Sequence, residues 1–237
     1  MEQKLMKLQA RLACIASCVP QGARLADVGT DHGYLPIFLL QQGRIRHAIA
    51  TDLREEPLAH AERSAREYGI GGEMELRLGD GLSPVSPSET DAVVIAGMGG
   101  ELIIKILQNA PWAKEKCLIL QAQTKVPLLR TWLSENGFRF VSEHLVRDKG
   151  TLYVVLCVTS GQSVPLTAEE ALSGVLLDKD PLYGEYLQEH TVKLTKAIEG
   201  LRCANGNHDE EIDRLSALKR GIAVKKEEWQ HGYSKGN

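Results

Sequence analysis

Seven short apolar runs punctuate the chain, and most are separated by stretches in which apolar residues recur every three or four positions. Five of them, "ARLADVG" at 23–29, "HAIATDL" at 47–53, "MELRLGD" at 74–80, "DAVVIAG" at 91–97 and "CLILQAQ" at 117–123, alternate with amphipathic segments. Apolar strands alternating with helices predict a parallel sheet covered on both faces. The last two runs, "FRFVSEHLV" at 138–146 and "TLYVVLCVT" at 151–159, are joined only by Arg147-Asp148-Lys149-Gly150. A parallel crossover needs about a dozen residues or more, so these two strands predict an antiparallel hairpin.

Helical periodicity marks both ends of the chain. In "MEQKLMKLQARLACIASCVP", Leu5, Leu8, Leu12 and Ile15 share a stripe beside Lys4, Lys7 and Arg11, which predicts an amphipathic helix and not a signal peptide. After "SGQSVP" at 160–165, which reads as a linker, Leu187, Thr191, Leu194, Ile198 and Leu201 form one seam. Ile212, Leu215, Leu218, Ile222 and Trp229 form another. Between the two seams, Asn205, Gly206 and Asn207 supply a turn and Asp209 a candidate N-cap. The organisation expected is an α/β domain over 1–160 and a C-terminal antiparallel helical hairpin, coiled-coil in character, over 166–237. Parallel strands that end in an antiparallel hairpin resemble the plan of class I methyltransferases, a Rossmann-like, mostly parallel sheet.

Composition narrows the partners. The 237 residues are 43% hydrophobic, and no apolar run approaches the roughly 20 residues needed to cross a bilayer, so no membrane association is expected. Five cysteines without a CxxC spacing fit reduced thiols in a cytoplasmic protein, with Cys14 and Cys18 as small core residues. No pair of His or Cys residues has metal-ligand spacing, so no metal is expected. Net charge is −3. Residues 1–164 carry 18 basic and 18 acidic side chains and residues 165–237 carry 10 and 13, so a nucleic-acid partner would have to meet a local basic patch.

The candidate chemistry begins at "ADVGTDHGYLP", residues 26–36, a glycine turn between the first strand and a helix. Backbone N–H groups at such a turn bind polar or anionic ligand groups. Asp31 stands where a dinucleotide fingerprint has its middle glycine, and a carboxylate there would sit against a pyrophosphate. S-adenosyl-L-methionine has no phosphate and carries an ammonium and a sulfonium, so Asp31 suits it; Asp31 also reads as a helix cap. Asp52 ends the second strand, where a carboxylate accepts ribose hydroxyls, and Asp80 follows the third, where it reads as an adenine contact or an ordinary Gly-Asp-Gly turn. Three acids at successive strand ends point to one ligand along that edge. The fourth strand runs into "AGMGG", in which Gly97 permits close backbone approach and Met98 offers a soft apolar contact. His32 is a candidate for proton transfer or a structural hydrogen-bonding group, and Tyr34 a stacking surface or a helix-packing residue.

"DVGTDHGYLP", "RLGDGL" and "IAGMGG" together resemble the bacterial tRNA (adenine-22-N1)-methyltransferase family, often called TrmK, and the likeness extends over nearly the whole chain. The resemblance implies methyl transfer from S-adenosyl-L-methionine to N1 of an adenosine in tRNA. It implies a cofactor site of Asp27, Gly29, Asp31, His32, Gly33, Asp52, Leu53, Asp80, Gly81, Gly97 and Met98. His32, Asp31, Tyr34 and Gln123 would lie at the reacting base. Where the family usually shows Leu-Gln-Pro-Asn after the fifth strand, this chain has Leu120-Gln121-Ala122-Gln123, so Gln123 would stand in for an asparagine amide. The tRNA would be met by Lys4, Lys7 and Arg11 and by Lys193, Lys196, Arg202, Arg214, Lys219, Arg220, Lys225 and Lys226. A class I methyltransferase acting on a small molecule or protein, and a catalytically inert RNA-binding relative, are the competing readings.

Overall fold

The structure is a computed structural model that describes residues 5–162 and 164–235. It divides into two compact units, Met1–Val164 and Pro165–Asn237.

The first unit contains α1 (Ala10–Cys18), β1 (Ala23–Val28), α2 (Tyr34–Gln41), β2 (Ile45–Asp52), α3 (Glu55–Glu67), β3 (Met74–Leu78), β4 (Ala92–Gly99), α4 (Gly100–Asn109), β5 (Cys117–Thr124), α5 (Val126–Glu135), β6 (Phe138–Asp148) and β7 (Thr151–Ser160). The strands form one sheet in the order β3-β2-β1-β4-β5-β7-β6. β1 to β5 run parallel, and β7 is antiparallel to both β5 and β6. Leu25, Val93, Val94, Ile95, Leu118, Ile119 and Leu120 are fully buried because the central strands are covered on both faces. The hairpin is tighter than the four-residue spacer suggested: Asp148 pairs with Thr151, and Lys149 (φ 48°) and Gly150 (φ 81°) both adopt the left-handed region. That is the backbone a two-residue turn needs to follow the strand twist.

The first helix departs from the sequence reading. It starts at Ala10, and residues 5–9 are not helical. Met6 is buried and its N–H donates to Gln41 Oε1 at 2.8 Å. Burying one apolar side chain and satisfying one backbone donor outweighs adding a marginal turn to a short helix. Lys7 is exposed in this non-helical segment, and Lys4 lies outside the described residues.

The second unit contains α6 (Ala168–Ser173), α7 (Tyr183–Cys203) and α8 (Asp209–Lys235). α7 and α8 are antiparallel, since Tyr183 meets Trp229 edge-on at 6.3 Å and Lys226 Nζ donates to Gln188 Oε1 at 2.5 Å. Leu187, Leu194, Ile198 and Ile222 form the buried seam. Asp209 lies inside α8 instead of capping it, and its N–H donates to Asn207 Oδ1 at 3.0 Å. α6 was not anticipated, although Thr167 and Glu170 form a reciprocal capping box whose T-x-x-E spacing is readable in the sequence.

Candidate active site

The neighbours of β1 are β2 on one side and β4 on the other, so the chain reverses its direction of progress across the sheet at β1. Ligands of open α/β sheets bind in the crevice at that point, beyond the carboxyl ends of the strands. The turn leaving β1 is tied down from β2, because Gly29 and Thr30 both donate their N–H groups to the Thr51 carbonyl, at 2.8 and 3.1 Å. Gly29 has φ 73°, and a Cβ there would run into Met98 Cε at the end of β4. Glycine is therefore favoured by the left-handed backbone, while the Met98 side-chain tip is free to turn aside. Asp31 follows with φ 51°, a left-handed conformation that aspartate tolerates better than most side chains. Gly33 forms the N-terminal boundary of α2 with no side-chain cap, so the alternative reading of Asp31 as that helix's capping residue is not what the geometry contains.

A cavity of about 240 Å³ opens at this edge. Its lining includes Asp27, Gly29, Thr30, Asp31, His32 and Tyr34 from β1 and its turn, Ala96 and Gly97 from β4, Gln123 from β5, and Arg11 and Leu12 from α1. Asp27 is buried, accepts the Thr30 hydroxyl at 2.7 Å, and is pushed up to about 6 by its removal from water. Asp31 is exposed, with its Oδ1 3.7 Å from His32 Nε2. The His32 ring is stacked between Tyr34 (centroids 5.1 Å) and His60 (4.9 Å), each at 11° to it. Tyr34 is 40% exposed and lines the cavity, which argues against the helix-packing reading.

Arg11, expected among the tRNA contacts, is the one Lys or Arg lining this cavity. Its Nη1 donates to Gln121 Oε1 at 2.6 Å, and its guanidinium lies 5.7 Å from the Tyr153 ring centroid. The same Gln121 oxygen accepts the Gly97 N–H at 3.2 Å. Gln121 is fully buried in β5, so it acts as a shared anchor for α1 and for the end of β4. Sequence reasoning passed over it in favour of Gln123. The available signal was an amide inside an otherwise apolar central strand, a group that must find partners when buried.

Not every candidate meets at the cavity. Asp52, Leu53, Asp80, Gly81, Gly33 and Met98 do not line it; the first four lie along the same strand-end edge, with Asp52 Oδ1 accepting the Arg54 N–H at 3.0 Å. Thr51 Oγ1 donates to the Gly81 carbonyl at 2.9 Å, which fastens the turn after β3 to β2. Leu53 is 68% exposed beside these acids. Among the described residues, two groups bring possible metal ligands within 4.8 Å of one another, Asp31–His32–His60 and Cys18–His144–Cys157. Sequence spacing could not reveal either, because each is assembled across the fold.

In the helical unit several of the basic residues expected to meet RNA are engaged by neighbours. Lys193 lies 3.8 Å from Glu189, Lys225 lies 3.7 Å from Glu169, and Arg214 forks onto Glu211. Arg202, Lys219 and Arg220 instead line a groove of about 370 Å³ between α7 and α8, together with Glu199.

Residues 8–156 match the family described as Methyltransferase domain. The tRNA (adenine(22)-N(1))-methyltransferase of Bacillus subtilis (strain 168) is 33% identical over 202 residues, spanning 83% of this chain and 82% of that protein. A Streptococcus pneumoniae protein solved in complex with S-adenosyl-L-methionine superposes with a TM-score of 0.81 at 33% identity, covering 91% of this chain and 98% of that one. TrmK of M. capricolum in complex with S-adenosyl-homocysteine gives a TM-score of 0.79 at 27% identity, covering 93% and 98%.

Proposed function

The chain belongs to the tRNA (adenine(22)-N(1))-methyltransferase family, and from that premise we propose that it transfers a methyl group from S-adenosyl-L-methionine to N1 of adenosine 22 in tRNA, in the cytoplasm. The observation that carries the reading is the cavity at the β1–β4 edge, with its two carboxylates and its bound arginine. Asp27 and Asp31 would repel a pyrophosphate, whereas this cofactor offers cationic groups to them and a single carboxylate to Arg11. The chemistry of the donor set therefore fits the cofactor. Asp52 and Asp80, at the ends of β2 and β3, suit ribose hydroxyls and the adenine amino group, with Leu53, Gly81, Gly97 and Met98 bordering the same edge.

When bound, the cofactor supplies an electrophilic sulfonium methyl. Adenine N1 carries an in-plane lone pair, so no side chain has to remove a proton before attack, and alignment supplies much of the acceleration. The protein's task is to hold the base. N1 lies on the Watson–Crick edge, so the adenosine must be splayed out of its helix. Tyr34, exposed at the mouth and backed by His32 and His60, offers the face on which such a base would stack, and Gln123 an amide for its edge. The His32 ring nitrogens point in the ring plane, with Nε2 3.7 Å from Asp31 Oδ1.

Arg202, Lys219, Arg220 and Lys196 are the favoured phosphate contacts in the helical unit, since the groove gathers three of them and Lys196 is exposed. Among the described residues no helix is long and apolar enough to cross a membrane. The decisive experiment measures methyl incorporation from labelled S-adenosyl-L-methionine into unmodified bacterial tRNA, followed by nucleoside analysis, with Asp31→Ala alongside. A 1-methyladenosine product at position 22 that is reduced in the variant is expected. Incorporation into another nucleoside, or only into a protein or small-molecule acceptor, would overturn the assignment.

A further inference from the structure

The methyl-transfer reading leaves a second cluster unused. Cys18 is the last residue of α1, His144 lies on β6 and Cys157 on β7, and their ligand atoms lie within 4.8 Å of one another. We propose that Cys18, His144 and Cys157 form a binding site for a borderline-soft divalent cation of the zinc class, which clamps the C-terminal end of α1 to the β6–β7 hairpin.

Three features support a built site. Two sulfurs and an imidazole are the donor set that such a cation prefers over hard ions, with bond lengths near 2.3 Å to sulfur and 2.0–2.1 Å to nitrogen. Tetrahedral bonds of about that length put neighbouring donor atoms about 3.5–3.8 Å apart, so closure requires a contraction of at most about 1 Å, within the reach of small side-chain rotations. The strand register also aligns the donors: Ser142 pairs with Cys157 across the hairpin, and His144 stands two residues along the same strand face. The Ser142 hydroxyl lies 3.0 Å from His144 Nε2 and also contacts the Cys157 thiol, a polar neighbour for the two donors. Finally, Cys157 is buried whereas Cys18 and His144 are half-buried, so the site has a closed floor and an open side from which a cation enters and a solvent ligand completes its shell.

The location gives the site a consequence. Arg11, which binds Gln121 at the cavity, lies seven residues before Cys18 on the same short helix, about 10 Å along its axis. The start of α1 is held from β6, where Asp148 Oδ2 accepts the Arg11 N–H at 3.3 Å, although Gln9 makes no side-chain cap. A cation joining its last residue to two strands would fix the helix that delivers Arg11.

The test uses the full-length, untagged chain reduced with a phosphine and titrated with Co²⁺ as a spectroscopic probe. Expected are uptake of one equivalent, thiolate-to-cobalt charge-transfer absorption, tetrahedral visible bands displaced by Zn²⁺, and a rise in Tm with the metal. C18S and H144Q, both at half-buried positions, should each weaken Co²⁺ affinity at least about tenfold and lose the charge-transfer intensity. H60Q, which disrupts the Asp31–His32–His60 group, should leave both unchanged. No charge-transfer band at saturating Co²⁺, wild-type affinity in C18S and H144Q, or loss of uptake in H60Q alone would each overturn the proposal. Because cobalt absorption and Tm are read without tRNA or S-adenosyl-L-methionine, the result is independent of the methyltransferase assignment.

Discussion

Asp27 offers the sharpest link between burial and cofactor binding. Its carboxyl is removed from water at the floor of the cavity and held at about 6, against an ordinary 3.8, with only the Thr30 hydroxyl to stabilise the anion. An acid whose folded pKa lies above its unfolded value holds its proton more tightly in the folded state. Stability therefore falls as pH rises from about 3.8 to about 6 and levels off above, a loss of about 3 kcal/mol for a shift of about two pH units. Asp27→Asn keeps the shape and an acceptor for Thr30, so the variant should be more stable than wild type at pH 7.5 by up to about 3 kcal/mol and no more stable near pH 3.5. A cationic ligand should reverse the preference by favouring the carboxylate. The ionised fraction rises from about one tenth at pH 5 to about nine tenths at pH 7, so S-adenosyl-L-methionine should bind about tenfold more tightly at pH 7. Urea denaturation and isothermal titration calorimetry across pH 4–7.5, on wild type and D27N, measure both effects. A D27N protein that keeps the wild-type pH dependence of Kd, or that is destabilised at pH 7.5, would refute the reasoning.

Gln121→Met keeps volume but removes the oxygen shared by Arg11 and Gly97; with Arg11 half-exposed and able to turn to water, a stability loss of about 2 kcal/mol is expected by urea denaturation, with a raised Kd for S-adenosyl-L-methionine. Tyr34→Ala should lower kcat/KM for tRNA about tenfold or more, the scale of one lost base stack, with little change in cofactor Kd; Tyr34→Phe should stay close to wild type, and equal losses in both variants would assign the effect to the hydroxyl. In the helical unit, the triple variant R202Q/K219Q/R220Q should reduce the slope of log K for tRNA against log salt by about 2, measured by filter binding, whereas K193Q/K225Q should change it less because those ammonium groups already lie beside Glu189 and Glu169.

The sheet was readable because its signals are local. Each parallel strand is a short apolar run bounded by turn residues, and the short spacer between residues 146 and 151 left only an antiparallel pairing. The βα turn was readable for the same reason, since Gly29, Asp31 and Gly33 lie within five residues and impose their backbone on one loop. The partner of Arg11 was not readable, because helical periodicity assigns a face but not the neighbour of that face, and the neighbour is Gln121, 110 residues away. The truncated start of α1 has a similar cause: Met6 and Gln41 compete for residues 5–9 through a contact with no local signature. His60 went unremarked because nothing in the α3 sequence announces that its ring covers His32. The cysteine–histidine group is the extreme case, as its three members span 139 positions, from Cys18 to Cys157, and meet only once the hairpin and α1 pack.

Three features that cost stability lie at the cavity or in the strands that support it. Asp27 is a buried carboxyl, Asp31 occupies a left-handed conformation without being glycine, and Gln121 Nε2 is buried with no hydrogen-bond partner among the described residues. Each is unfavourable by about 1–3 kcal/mol on general grounds. Away from the cavity, in the β1–β4–β5 core, the same strands use Leu25, Val94 and Ile119, fully buried and apolar. A sequence selected only to fold would have continued that pattern to the strand ends. Its interruption at one edge, where the chain also reverses its progress across the sheet, is the expected mark of a ligand site, since polar groups held out of water are stabilised once a partner of opposite character arrives. The two carboxylates then define that partner more narrowly than the fold does: a ligand that brings cationic groups to them and carries no phosphate.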